Sequence, residues 1–86
     1  MAYDWQFSEA AKAQLVRLPY EMIDSLVETV AQACLDPWIF QRREDEPLNR
    51  HYAHRWVKFA DGQGKLWFLV RDGEGLLWIT EIEWQE

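Results

Sequence analysis

The order in which the hydrophobic period changes along this chain constrains its fold more than any single residue does. Residues 3–7 alternate, with Tyr3, Trp5 and Phe7 on one side and Asp4 and Gln6 on the other, which is the pattern of a half-buried strand. Residues 8–18 and 19–35 carry helical spacing, Asp36-Pro37 breaks it, and residues 52–84 return to a period of two. In a chain of 86 residues, a β-α-α-β-β-β order leaves few ways to close a core. It predicts one α+β domain over residues 1–86, a helical hairpin packed on one face of a mainly antiparallel sheet.

The local signals agree with that order. Ser8 is placed to cap the first helix and Glu9 to meet its dipole. Ala11, Leu15 and Leu18 form one narrow apolar face. Pro19 ends this helix and suits the first turn of the next, where no N–H donor is needed. In the second helix Ile23, Leu26, Val27, Val30 and Cys34 make a single stripe, opposite Asp24, Glu28 and Gln32. Residues 38–51 show neither period and read as a connecting loop, long for so small a domain. Of the last three strands, the first sets Arg55, Val57 and Phe59 against His54, Trp56 and Lys58. The second sets Leu66, Phe68 and Val70 against Lys65, Trp67, Leu69 and Arg71. Strict alternation in the last sets Leu76, Trp78, Thr80, Ile82 and Trp84 against Leu77, Ile79, Glu81 and Glu83. Asp61-Gly62-Gln63-Gly64 and Asp72-Gly73-Glu74-Gly75 supply the two hairpin turns.

Composition removes several function classes. The thirteen aromatic residues, six of them Trp, offer a large buried area for a small core. The lone Cys34 excludes an internal disulfide and falls on an apolar helix face, so it reads as a buried thiol. No apolar run reaches the roughly 20 residues of a membrane span, and the N-terminus has no signal-peptide pattern; a cytoplasmic protein is expected. The net charge of −6 argues against generic nucleic-acid binding. It is unevenly placed: residues 41–65 hold six basic and four acidic side chains, whereas the flanking segments are acidic. Any phosphate contact falls to that middle segment.

Within it, His54, Lys58 and Lys65, with Arg50 and Arg55 nearby, form the one plausible anion-facing cluster. His51 and His54 point to opposite sides of a strand and, without cysteines or a third histidine, suggest no metal site. The glycines lie in hairpin turns and make no phosphate loop. Ser8 and Ser25, explained by a cap and a helix surface, have no partners for nucleophilic catalysis. Trp56 and Trp67 fall on the sheet face away from the helices, where a protein contact or base stacking would use them.

Several phrases resemble the RelE/ParE toxin superfamily: Phe7-Ser8-Glu9-Ala10-Ala11-Lys12 ahead of Leu15 and Leu18-Pro19, a second helix ending in Leu35-Asp36-Pro37, and Pro47-Leu48 in the loop. Gly64-Lys65-Leu66-Trp67-Phe68-Leu69-Val70 and the closing strand around Trp78 continue the likeness, which spans nearly the whole chain as a profile of element order. The resemblance implies the toxin of a type II toxin–antitoxin pair, with a cognate antitoxin as partner and no cofactor or metal. It implies one of two activities, ribosome-dependent mRNA cleavage (a metal-independent endoribonuclease) or inhibition of gyrase. For cleavage it points to Lys58 and Lys65 as catalytic, and the anion-facing cluster adds His54 to them. For a non-enzymatic, protein-binding regulator on the same scaffold, Trp56, Trp67, Arg50 and Arg55 are the contact residues. This chain departs from the family pattern at Trp56, where a basic residue is usual, at Lys65 in place of Arg, and at Glu81 and Glu83 on a strand that often carries His or Arg.

Overall fold

The computed structural model describes residues 2–42 and 52–85; Arg50 and His51 lie outside them. The elements run β1 (Asp4–Phe7), α1 (Glu9–Leu15), a 3-10 turn at Tyr20–Met22, α2 (Ile23–Leu35), a 3-10 turn at Pro37–Ile39, β2 (Gln41–Arg42), β3 (Tyr52–Phe59), β4 (Gly64–Arg71) and β5 (Leu76–Trp84). They form one sheet in the order β1-β5-β4-β3-β2. β1 pairs parallel with β5; β5, β4, β3 and β2 are antiparallel neighbours. The expected α+β architecture is present, with one strand more than the sequence suggests. Gln41–Arg42, inside the expected loop, pairs with β3, because two residues are too few to display a period.

The helices cover one sheet face. Leu66, Phe68 and Val70 of β4 and Leu77, Ile79 and Ile82 of β5 pack there with Leu18, Met22, Leu26, Val30, Ala33 and Cys34. Ser8 caps α1 by accepting from the Ala11 N–H at 3.1 Å, and its hydroxyl donates to the Thr80 carbonyl at 3.1 Å. Burial in the core pushes the Cys34 thiol pKa above its ordinary 9.0, with the Asp4 carboxylate adding to the effect. Tyr3 donates to Asp72 and accepts from the Trp38 indole N–H, fastening the chain's start to the β4–β5 turn.

Five local expectations are corrected. Val27 is 60 % exposed although it continues the apolar stripe of α2. The sheet covers only the arc holding Leu26, Val30, Ala33 and Cys34, leaving Val27 on the wall of an apolar groove of about 290 Å³ beside Trp5 and Phe7. Trp5 is likewise 53 % exposed, since β1 is an edge strand. Ser25 is no idle surface residue: its Oγ accepts from the Ala60 N–H at 2.8 Å and pins the β3–β4 turn to α2. That turn takes its positive φ values at Ala60, Asp61 and Gly62, not at Gly64. Gly64 is a buried β4 residue against the Phe59 ring, where a Cβ would come within 2.3 Å of Phe59 Cζ.

The last correction bears on the site. The β4–β5 register shifts between Trp67 and Phe68: Phe68 stands opposite Ile79, but Trp67 stands opposite Glu81. Thr80 is the extra residue of a β-bulge. Beyond it the facing expected from strict alternation is reversed. Ile82 is buried and Trp84 packs against the core, while Glu81 and Glu83 move to the face opposite the helices. Side chains of α1 support the irregular stretch, with Gln14 Oε1 accepting from the Ile82 N–H at 2.7 Å.

Candidate functional site

The face away from the helices is organised in rows, since residues opposite one another on neighbouring strands share a face. Register places Lys58, Lys65 and Glu83 in one row, Trp56, Trp67 and Glu81 in the next, and His54, Leu69 and Trp78 in a third. The sequence brings Lys58, Lys65, Trp56 and Trp67 to this face, as expected from alternation. Glu81 and Glu83 reach it only through the bulge.

The first row borders an open polar depression of about 280 Å³, lined by Lys58, Lys65, Glu83, Trp84, Gln85 and residues 62–64. Its end is fixed: the Gln85 N–H donates to the Gln63 carbonyl at 2.9 Å, and the adjoining turn is held by Ser25. The charged groups do not neutralise one another. Lys58 is exposed, and no ion pair joins Lys58, Lys65 and Glu83. The reason lies in the second row. Lys65 Nζ leans over two indoles, 4.1 Å from the Trp56 ring centre and 4.5 Å from that of Trp67. The rings are tilted by 46° with centroids 6.3 Å apart, a cleft whose negative faces favour a cation. The depression therefore presents an ammonium from β3, a second ammonium set at its inner edge, and a carboxylate from β5. Ammonium groups so placed can hold a phosphate, and a carboxylate beside them can take a proton.

The structure separates the other candidates from this centre. His54 shares the face but stands four residues from Lys58 along β3, roughly 13 Å at strand rise, and does not line the depression. Arg55 faces the helix side, its guanidinium 5.0 Å from the Trp38 ring centre and its Nη1 donating to the Phe40 carbonyl at 3.1 Å. It is thus on the opposite side of the sheet from Trp56 and Trp67. Arg50 lies outside the described residues. Glu83 is the group that sequence reading misses as a site component. Its only signal is the unequal spacing of Leu77, Ile79 and Ile82, three aliphatics that share a face only if the strand carries an extra residue.

Among the described residues no cluster of His, Cys, Asp and Glu has the makings of a metal site, and no helix is long and apolar enough to cross a membrane. The sequence matches no known protein-family model and no curated protein. Its fold does have solved counterparts. The isolated E. coli RelE toxin in a P21 crystal form is similar with a TM-score of 0.81 at 16 % identity, over 99 % of this chain and 86 % of that one. A double arginine-to-alanine variant of the same toxin in the free state is similar with a TM-score of 0.75 at 20 % identity, over 100 % of this chain and 86 % of that one. Over its whole length, this chain has the fold of the RelE toxin.

Proposed function

We propose that this protein is the toxin of a toxin–antitoxin pair, acting in the cytoplasm by metal-independent cleavage of RNA, with mRNA on the ribosome as its target and a cognate antitoxin as its silencer. The observation that carries the reading is the open depression of the sheet, where Lys58 and Lys65 stand opposite one another on a fold shared with a toxin over 99 % of this chain. Lys58 and Lys65 hold the scissile phosphate and offset the charge that builds on it as the ribose 2′-oxygen attacks. His54, too far along β3 to reach the same phosphate, has a place only in contacts with flanking RNA.

A second reading is favoured by a separate observation. Trp56 and Trp67 present a tilted aromatic pair beside Glu81 on the face away from the helices. Such a surface suits a protein contact, with gyrase as one target, and needs no chemistry. The two readings part on one experiment. Inducible expression of the wild type in bacteria, beside a Lys58→Ala/Lys65→Ala double variant, is followed by growth, translation rate and mapping of mRNA 5′ ends. Growth arrest with cut mRNA, both relieved in the double variant at equal folded protein, is the expected result. Arrest with intact mRNA would favour the protein-binding reading. Unimpaired growth at full expression of folded protein would count against a toxin able to act alone.

A further inference from the structure

We infer that Glu83 is the general base of an RNA-cleaving centre in the β3–β5 depression, taking the proton from the ribose 2′-hydroxyl. The inference rests on the RNA-cleavage reading above and adds to it the group that the lysines cannot supply. Ammonium groups bind a phosphodiester and stabilise its charge, but an ammonium carries donors and no acceptor. Among the described residues lining the depression, Glu83 is the one carboxylate. Register fixes it opposite Lys65 of β4, with Lys58 one strand further on. Neighbouring strands are about 4.8 Å apart, so the row from Lys58 to Glu83 spans roughly 10 Å. That span lets one phosphodiester and its ribose lie between the ammonium of Lys58 and the carboxylate.

Two features keep the carboxylate available. Lys65, its cross-strand neighbour, is drawn aside by the Trp56 and Trp67 rings and forms no ion pair with it. The charged groups around it are Lys65 on β4, Lys58 on β3 and Glu81 on its own strand, which stands in the next row opposite Trp67. The bulge at Thr80 is what places it here. Without the extra residue in β5, the same carboxylate would point into the core, where an unpaired charge is not tolerated. An irregular strand supported by α1 side chains thus delivers an acidic group to an otherwise basic row.

The step balances within the site. The 2′-O–H proton passes to the Glu83 carboxylate, the 2′-oxygen bonds to phosphorus, and the P–O5′ bond breaks. The Lys58 ammonium gives its proton to the departing 5′-oxygen, leaving a 2′,3′-cyclic phosphate and a 5′-hydroxyl. The proton on Glu83 then returns through water to Lys58.

The test is cleavage of mRNA on programmed ribosomes by purified wild type, Glu83→Gln and Glu83→Asp, with thermal unfolding run on each. Glu83→Gln is expected to cut at least about 100-fold more slowly at unchanged Tm. Glu83→Asp, which keeps a carboxylate, should recover part of the rate that Glu83→Gln loses. A ribosome-bound RNA with a 2′-deoxyribose at the cut position should remain intact, and the wild-type product should end in a cyclic phosphate. If the carboxylate only repels the RNA backbone, Glu83→Gln will cut faster; a faster or unchanged rate overturns the inference while leaving RNA cleavage standing. A wild type that cuts no RNA overturns both.

Discussion

The two faces of the sheet obey different rules, although the same strands build them. The covered face holds Leu66, Phe68, Val70, Leu77, Ile79 and Ile82, all at most 1 % exposed. Hydrophobicity alone assigns these residues, and their packing is sensitive to volume. The open face holds Lys58, Lys65, Trp56, Trp67, Glu81 and Glu83, none of them buried. There, identity of residue matters less than register, because cross-strand opposition decides which charge meets which ring. The covered face makes the fold; the open face uses the fold's spacing to bring lysines, indoles and carboxylates side by side. The bulge at Thr80 is where the two meet, since it sets Ile82 inward and Glu81 and Glu83 outward in one step.

The sharpest way to break this comparison is Ile82→Glu. On strict alternation the side chain would face solvent and the change would be mild. With Ile82 1 % exposed in the core, an unpaired carboxylate is expected to cost more than about 4 kcal/mol and to abolish cooperative urea unfolding. A folded variant of near wild-type stability would refute the bulged register. Gly64→Ala comes next. It adds a methyl group where the Phe59 ring leaves no room, and Phe59 is itself buried. A loss of about 1–3 kcal/mol in denaturant unfolding is expected, although Gly64 borders a depression that is otherwise open to solvent. The smallest effect sharpens the open face. A double-mutant cycle of Lys65→Met and Trp67→Leu, read by chemical denaturation, should return a coupling of about 0.5–1 kcal/mol. A coupling near zero would mean that the indoles do not hold the lysine aside, and would remove the reason for the unpaired Glu83.

Much of the scaffold is legible in the sequence because its signals are local. The Ser8 cap, the stripe through Leu26 and Val30, the alternation of Leu66, Phe68 and Val70, and the glycine-bearing turns each report the conformation of their own few residues. Lys58, Lys65, Trp56 and Trp67 share the open face for the same reason: period two in β3 and β4 suffices to place them. What alternation cannot supply is the neighbour across the strand. The site's third charged group, Glu83, depends on that neighbour and was invisible to a rule that counts residues without pairing them.

By itself, then, the sequence determined the element order, the helix-covered face of β4 and the lysine–tryptophan side of the open face, all consequences of short-range periodicity and burial. Tertiary structure decided the parallel pairing of β1 with β5, the two-residue β2, the exposure of Val27 and the bulge at Thr80. Each of these is settled by contacts between segments distant in the chain. Gln14 and Ser8 meet β5 across 68 and 72 residues of sequence, and their hydrogen bonds to the Ile82 amide and the Thr80 carbonyl satisfy backbone groups beyond Ile79, where the pairing of β5 with β1 ends. Those bonds exist only once the helices are seated, which is why the facing of Glu83 follows from the packed fold and not from the spacing of its neighbours.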